Sequence, residues 1–237
     1  MLTVVRRYVE DTERVPVGYA RGMTGTRVPR RYDSSRRQEQ ARRTRRRILD
    51  AAAELFVRQG YAGTTIAETA TAAGVAPQTV YAVFGTKRAI LKELVDVRIA
   101  GDDEPVAVMD RPFVQWIEDE PDGRRKLEIF AAHLREVHER TVDVLVALRA
   151  AADSDPEVAE LWKTLTDQRL FGQTRFAQHL SDTGVLRDDL DVPAAADVIS
   201  TLMDHELYRS LVRDRGWSGD TWQHWYADLL ARTLLHA

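Results

Sequence analysis

Apolar residues recur every three or four positions along most of the chain, which is the spacing of amphipathic helices. The first clear stripe consists of Ile48, Ala52, Leu55 and Phe56. It predicts a helix that begins near Ser35, which has capping-box spacing to Gln38, and that ends at a left-handed Gly60. Apolar and polar residues do not alternate over any long segment, so the pattern predicts an all-α protein.

Two short helices are predicted after this one. Thr64 and Thr65 can cap a helix over residues 66–73, which Gly74 stops. Pro77 stands where a first helical residue is expected, ahead of a helix over residues 78–84. A longer helix then runs from Lys87 to about residue 99. Two short helices joined by a glycine-containing turn, after a longer helix, are typical of a three-helix, homeodomain-like helix-turn-helix domain.

The remaining chain is also predicted to be helical. Helices are expected near residues 123–152, 155–181, 193–214 and 218–235, with a short helix near residues 112–117. Residues 1–34 have no sustained periodicity and predict a flexible basic arm, and Met23 within it is an alternative start. The predicted division is therefore an arm at 1–34, a DNA-binding domain at 35–91, and a helical ligand-binding and dimerisation domain at 92–237.

Charge is distributed unevenly, although the net charge is only −3. Residues 1–100 hold 19 lysines and arginines against 10 acidic residues, whereas the rest holds 15 against 27. A basic half beside an acidic half favours contact with a polyanion, and a solvated basic arm is the alternative. The chain has no cysteine, no long apolar run and no recognisable export signal. We therefore expect a cytoplasmic protein without a membrane segment.

The second short helix has the residues needed to read DNA. Its first turn offers Pro77, Gln78 and Thr79, and a glutamine can pair with adenine while a threonine methyl or a proline packs on thymine. Tyr81 and Lys87 are candidates for phosphate contact. An arginine-rich run at 36–47, which includes Arg46, can contact phosphates or the minor groove together with Arg30 and Arg31, or can be an exposed helix face.

Residues 44–91 resemble the DNA-binding domain of TetR-family regulators. The features that match in order and spacing are Ile48-Leu49, Ala52, Leu55-Phe56, Gly60-Tyr61, Thr64-Thr65-Ile66, Ala70, Ala73-Gly74-Val75, Thr79-Val80-Tyr81, Phe84-Gly85 and Lys87. The resemblance implies that Tyr81 and Lys87 contact phosphates and that Gln78 and Thr79 face bases. Thr65, Pro77 and Arg46 complete the predicted DNA-binding set. Departures from the family pattern are Thr69, Ala76, Ala82 and Val83.

The acidic half has aromatic residues that can line a pocket between helices or form a core. The candidate ligand contacts are Phe113, Trp116, Phe130, His133, Trp162, Arg169, Phe176, Met203 and Tyr208. Apolar stripes on the last two helices predict a dimer interface, with intramolecular core as the alternative. The interface candidates are Ala195, Val198, Ile199, Leu202, Trp222, Trp225, Tyr226 and Leu229.

Several other activities are not predicted. His133 and Glu136 share a helix face but His138 is turned away, so no metal site is expected. No nucleophile elbow, P-loop or dinucleotide-binding fingerprint is present, so neither an enzyme nor a cofactor is expected. The resemblance implies a homodimeric repressor that a small-molecule effector releases from a palindromic operator. The alternatives are a DNA-binding dimer without a ligand and a helical enzyme.

Overall fold

The computed structural model describes residues 31–104 and 106–236, and side chains from residue 35 onward. The predictions for residues 1–30 fall outside the described residues. Within the described ranges the regular elements are helices, and one isolated β-bridge joins Leu186 to Leu235, so the predicted all-α fold is confirmed. The α-helices are α1 (Arg31–Gly63), α2 (Ile66–Ala73), α3 (Pro77–Phe84), α4 (Lys87–Ala100), α5 (Pro112–Asp119), α6 (Gly123–Ala152), α7 (Pro156–Asp182), α8 (Val192–Leu202), α9 (His205–Tyr208) and α10 (Gly219–Leu234).

The first helix differs from its prediction at both ends. Ser35 lies inside α1, which already includes Arg31, so its predicted capping role is wrong. Gly60 interrupts the helix with φ 77° and ψ 163°, and a short helical turn then continues to Gly63. A positive φ favours glycine, as predicted, but Gly60 makes a kink where the sequence pattern predicted a stop.

Local capping explains why the two short helices begin and end where they do. The Thr65 hydroxyl accepts from the backbone N–H of Glu68, and the Glu68 carboxylate accepts from the Thr65 N–H, which makes a complete capping box. Gly74 ends α2 in the left-handed conformation with φ 63°. Pro77 is the first residue of α3, and Thr86 caps α4 through the Ala89 N–H. The predicted bounds of these helices are therefore confirmed.

Two clusters of buried side chains hold the helices from α1 to α10. The first comprises Ile48, Ala52 and Phe56 of α1, the inner faces of α2–α4, and the adjoining ends of α6 and α7. Leu148 and Val158 are fully buried there. This packing continues past residue 91, because α4 packs on α6. The short helices therefore rest on a rigid support that includes the long helices.

The second cluster lies among α5, α6, α7, α8, α9 and α10. Its largest fully buried side chains are Trp222, Tyr226 and Tyr208. α8 packs mainly on α7, and α10 packs mainly on α6. None of the helices in the described ranges is long and apolar enough to span a bilayer.

The predicted continuous helix at 193–214 is wrong. α8 ends at Leu202, Asp204 caps the four-residue α9 by accepting from the Glu206 N–H, and residues 209–214 form a π-helical segment. Apolar periodicity cannot reveal this break, since Ile199, Met203, Leu207 and Leu211 recur every four positions while the hydrogen-bond pattern changes between them.

Candidate DNA-binding interface

Helix α3 presents the side chains that the sequence assigned to DNA. Pro77 and Gln78 are exposed, Thr79 is half-buried, and 56% of the Tyr81 surface is exposed. Val80 is fully buried against the first core cluster and holds the helix in place. The first turn of α3 therefore offers a polar surface to solvent, on a helix whose opposite side is packed.

The N-terminus of α2 is capped by Thr65. The Thr65 hydroxyl donates to Glu68 Oε2 at 2.8 Å and accepts from the Glu68 N–H at 3.1 Å. The hydrogen bonds that the Thr65 backbone N–H and the Thr65 hydroxyl donate to its carboxylate lower the pKa of Glu68. Thr65 is exposed and remains a candidate DNA contact, but its primary role in the structure is to start α2.

Lys87 is tied to the end of α1 rather than extended into solvent. Its Nζ donates to the carbonyl oxygens of Tyr61 at 2.7 Å and Thr64 at 2.9 Å, and it lies 4.1 Å from the centre of the Tyr61 ring. Burial lowers the pKa of Lys87, an effect that the Asp155 carboxylate opposes. The predicted phosphate contact stays a prediction, since two of the three Nζ donors already bind carbonyl oxygens.

The arginine-rich part of α1 divides into two sets. Arg46 is 68% exposed and lies 3.5 Å from Asp103, and Arg42 lies 3.6 Å from Asp103. Exposed pairs of this kind contribute little to stability, so phosphates can replace Asp103 as the partner of both arginines. The second set consists of Arg45 and Arg47, which bind other residues of the protein.

Arg45 and Arg47 form that second set. Arg45 forms a bidentate ion pair with Glu93 of α4 and lies over the Phe84 ring. Arg47 donates to the carbonyl oxygens of Ala73 and Gly74, in the turn between the short helices. Sequence reasoning missed both roles, because a run of arginines does not reveal which of its members bind neighbouring helices. Helical spacing gave no signal either, since Arg45 and Arg46 both lie three positions before a buried residue, Ile48 or Leu49.

The departures from the family pattern have local explanations. Ala76 makes no side-chain cap at α3, and Pro77 at the first helical position partly replaces its function. Thr69 is fully buried, and its hydroxyl donates to the Thr65 carbonyl at 2.9 Å. The hydroxyl is therefore satisfied within the helix, which explains how the core accepts a polar residue there.

The predicted ligand contacts occur in two separate places. Phe113, Trp116 and His133 line an open groove of about 380 Å³, and His133 stacks on Phe113 at 3.5 Å between ring centres. The second place is the interior of the protein. Phe130, Phe176, Met203 and Tyr208 belong to or pack on the second core cluster, Trp162 packs on the first cluster, and Arg169 is partly buried.

The predicted dimer-interface residues also divide into two sets. Ala195, Ile199, Trp222 and Tyr226 are fully buried within the single chain, so they have no surface left for a partner. Their assignment to an interface is wrong because each one faces the protomer core. The partly exposed candidates are Val198, Leu202, Trp225 and Leu229.

His138 of α6 points away from His133 and Glu136, which both line the open groove. His138 is buried and stacks on Tyr208 at 4.9 Å, while His133 stacks on Phe113. Glu136 is exposed and lies 3.8 Å from Arg140. Among residues 31–104 and 106–236, no three His, Asp or Glu side chains gather in a way that could hold a metal ion.

Comparison with known proteins agrees with this geometry. Residues 48–94 match the family described as bacterial regulatory proteins, tetR family. The HTH-type transcriptional regulator TcmR from Streptomyces glaucescens is 31% identical over 107 residues, which are 45% of this chain and 42% of that relative. The match therefore spans less than half of the relative's length.

Solved structures are similar over more of the chain. A transcriptional regulator from Saccharomonospora viridis, solved in complex with choline, is 23% identical, with 81% of this chain and 98% of that chain covered and a TM-score of 0.61. FadR from Bacillus subtilis, solved in complex with stearoyl-CoA, is 19% identical, with 78% and 96% covered and a TM-score of 0.63. At these identities the likeness establishes the fold.

The fold and the exposed α3 define an all-α helix-turn-helix protein with a larger helical domain. The match over residues 48–94 covers α2 and α3 completely, together with the core residues of α1 and α4 that hold them. Residues 48–94 therefore match the tetR family of bacterial regulatory proteins.

Proposed function

We propose that this protein is a sequence-specific DNA-binding transcriptional regulator that works as a homodimer. The observation that carries the proposal is the orientation of α3, which exposes Gln78 and Tyr81 while Val80 is buried. A recognition helix enters the major groove with the residues of its first turn at the base edges. Gln78 and Thr79 are then the base-reading side chains, and Tyr81 contacts the sugar-phosphate chain.

Two copies of α3 in a symmetric dimer would read a palindromic operator. Half-sites are expected about 34–36 Å apart, or at a multiple of that distance, because the groove must face the protein at both sites. Arg42 and Arg46 of α1, which pair with Asp103 and Glu104, lie on exposed surface and can add phosphate contacts.

We further propose that the protein is a cytoplasmic repressor released from its operator by a small molecule. The supporting observations are the large helical domain and two structural neighbours that were solved with choline and with stearoyl-CoA. The two helix-turn-helix domains of the dimer can lie at different distances from each other. A ligand that binds more tightly to the dimer at one of these distances shifts the population toward it. The alternative is a DNA-binding dimer that senses nothing. Release of operator DNA by a bound small molecule separates the two.

Gln78→Ala is expected to relax sequence preference at one position of each half-site. A bidentate glutamine–adenine pair contributes about 1–3 kcal/mol of discrimination. The operator is first obtained by selecting bound duplexes from random DNA, and affinities are then measured on a panel of single-base variants.

Arg46→Gln is the matched variant for this experiment. It should weaken binding to all sequences alike and reduce the dependence of log affinity on log salt by about one unit. The assigned role of Gln78 would be wrong if its substitution weakened every duplex equally and left the base preferences intact.

Leu229→Glu is expected to weaken the dimer and, with it, operator binding. Leu229 is a partly exposed apolar residue on α10, and a charge at an apolar interface costs free energy unless it is paired. We expect a shift toward the monomer mass in sedimentation and at least a tenfold loss of affinity for the palindrome.

His224→Glu is the control, because His224 is exposed on a different side of α10 and lines the open groove. It should leave the dimer intact. An unchanged dimer in Leu229→Glu would contradict the proposed interface, whereas DNA binding by α3 could still be correct.

A further inference from the structure

Two arginines of α1 converge on one carboxylate. Arg42 Nε lies 3.6 Å from Asp103 Oδ2, and Arg46 Nη2 lies 3.5 Å from Asp103 Oδ1, so each guanidinium faces a different oxygen. Arg42 also donates to Glu104 Oε1 at 3.4 Å. Residues four positions apart lie on the same face of a helix. The two guanidinium groups therefore form one anion site on α1, and we call Arg42 and Arg46 the arginine pair.

The arginine pair holds Asp103 loosely. The side chain of Arg42 is 50% exposed and that of Arg46 is 68% exposed, and both distances to Asp103 exceed the usual range of an N–H···O hydrogen bond. Arg45 on the same helix, by contrast, forms a bidentate ion pair with Glu93. Exposed ion pairs contribute little free energy. Another anion can therefore replace Asp103 at the arginine pair.

The arginine pair belongs to the part of α1 that packs against the proposed reading helix. Arg45 lies 4.9 Å from the centre of the Phe84 ring at the end of α3, and Arg47 donates to the Gly74 carbonyl oxygen at 3.2 Å, shortly before α3 begins. In helix-turn-helix proteins the reading helix enters the major groove while the first helix crosses the sugar-phosphate chain. Phosphates are therefore the anions that approach this part of α1 when α3 reads DNA.

A DNA phosphate has the chemistry that suits the arginine pair. Like the Asp103 carboxylate, it presents two terminal oxygens that share a negative charge. The planar guanidinium group matches carboxylate and phosphate oxygens in the same way. Asp103 therefore occupies the place that a phosphate would take, with one oxygen toward each arginine.

The segment that carries Asp103 is held by contacts of its own. Arg111 donates to both Asp102 oxygens, at 2.6 Å and 2.9 Å, and the Asp102 carboxylate accepts from the Glu104 N–H at 2.9 Å. The hydrogen bonds from Arg111 and then from the Glu104 N–H lower the pKa of Asp102 to about 2. Gly101 ends α4 directly before this segment, with φ 86°. The Asp103 carboxylate therefore stays near the arginine pair even when another anion binds there.

We propose that Asp103 is an autoinhibitory residue that occupies a phosphate-binding site formed by Arg42 and Arg46. This inference rests on the proposed DNA-binding function. A phosphate must replace the carboxylate when a duplex binds, and the displaced carboxylate remains close enough to repel the phosphates. Contacts to the sugar-phosphate chain carry no sequence information directly. Asp103 therefore lowers the affinity for operator and unrelated DNA by a similar factor, which limits binding to DNA outside the operator.

Asp103→Asn is expected to raise duplex affinity by about threefold to tenfold at about 50 mM salt, because asparagine keeps the shape of aspartate and removes its charge. The gain should decrease as salt increases, since ions screen interactions between exposed charges. Fluorescence anisotropy of the purified full chain measures affinity for the operator and for an unrelated duplex, and the gain should be similar for both. Glu104→Gln should give a smaller gain, because Glu104 faces Arg42 whereas Asp103 faces both arginines.

Asp167→Asn is the matched control. Asp167 of α7 is also exposed and pairs with Lys163 at 2.6 Å, so the substitution removes the same charge without uncovering the arginine pair. It should change duplex affinity by less than about twofold. A second control repeats Asp103→Asn in a chain that carries Arg42→Gln and Arg46→Gln, where the gain should disappear because the two positions are coupled.

The outcomes separate this inference from the proposed function. Near-ultraviolet circular dichroism verifies that each variant remains folded. No gain in Asp103→Asn, an equal gain in Asp167→Asn, or a full gain that persists without the arginine pair would each overturn the autoinhibitory role and leave DNA binding by α3 standing. If neither the wild type nor Asp103→Asn bound any duplex, the proposed function and the autoinhibitory role would both be wrong.

Discussion

Trp222→Ala is expected to lower the free energy of unfolding by about 3–5 kcal/mol, the usual cost of emptying a large buried aromatic site. Trp222 is fully buried and packs against His138, Tyr208 and Tyr226. For a chain of this size each kcal/mol corresponds to about 2–4 °C in Tm, so the expected loss is about 10 °C. Thermal unfolding followed by circular dichroism measures it.

Trp116→Ala is the matched control for this prediction. Trp116 has 61% of its surface exposed, so its removal should change Tm by a few degrees at most. The experiment also distinguishes core from interface. If Trp222 were an interface residue, its loss would change the oligomeric mass without lowering the stability of the protomer, and that result would contradict the burial described above.

Lys87→Met is expected to lower both stability and DNA affinity. The substitution removes the two donors that satisfy the Tyr61 and Thr64 carbonyl oxygens, and an unpaired buried carbonyl costs about 1–3 kcal/mol. Methionine preserves most of the apolar stem, so the change isolates the ammonium group. The end of α1 and the cap at Thr65 should both loosen, which would leave the short helices less well positioned.

Lys92→Met on the same helix is the control. Lys92 is exposed and pairs with Asp96 one turn away, an interaction that contributes a few tenths of a kcal/mol. If Lys87 acts only as a phosphate contact, its substitution will reduce the salt dependence of DNA binding by about one unit and leave Tm unchanged. That outcome would contradict a positioning role for Lys87.

Features that depend on neighbouring residues were predictable. The capping box of Thr65 and Glu68, the left-handed Gly74 and the proline that begins α3 act within a few positions of the chain. Their effects are therefore visible in the residue order, and the bounds of α2, α3 and α4 follow from them. The exposed first turn of α3 was equally predictable, because the buried Val80 sets which face of the helix points inward.

Features that depend on distant residues were not predictable in the same way. The sequence pattern could not separate Arg45 and Arg47, which stabilise the domain, from Arg46, which faces solvent. Nor could it show that Lys87 reaches back to carbonyls that lie more than 20 positions earlier in the chain. Apolar periodicity indicates that a residue packs against other apolar groups. It does not show whether those groups belong to the protomer core or to a second subunit.

From the order of its residues alone, the chain is determined to be all-α, with a helix-turn-helix whose reading helix starts at Pro77, because caps and periodicity act locally. The tertiary structure decided that Trp222 and Tyr226 belong to the core and that the helix after Leu202 breaks. Those outcomes arise from contacts between α6, α7, α9 and α10, since burial depends on which helices pack together and not on the spacing within one of them.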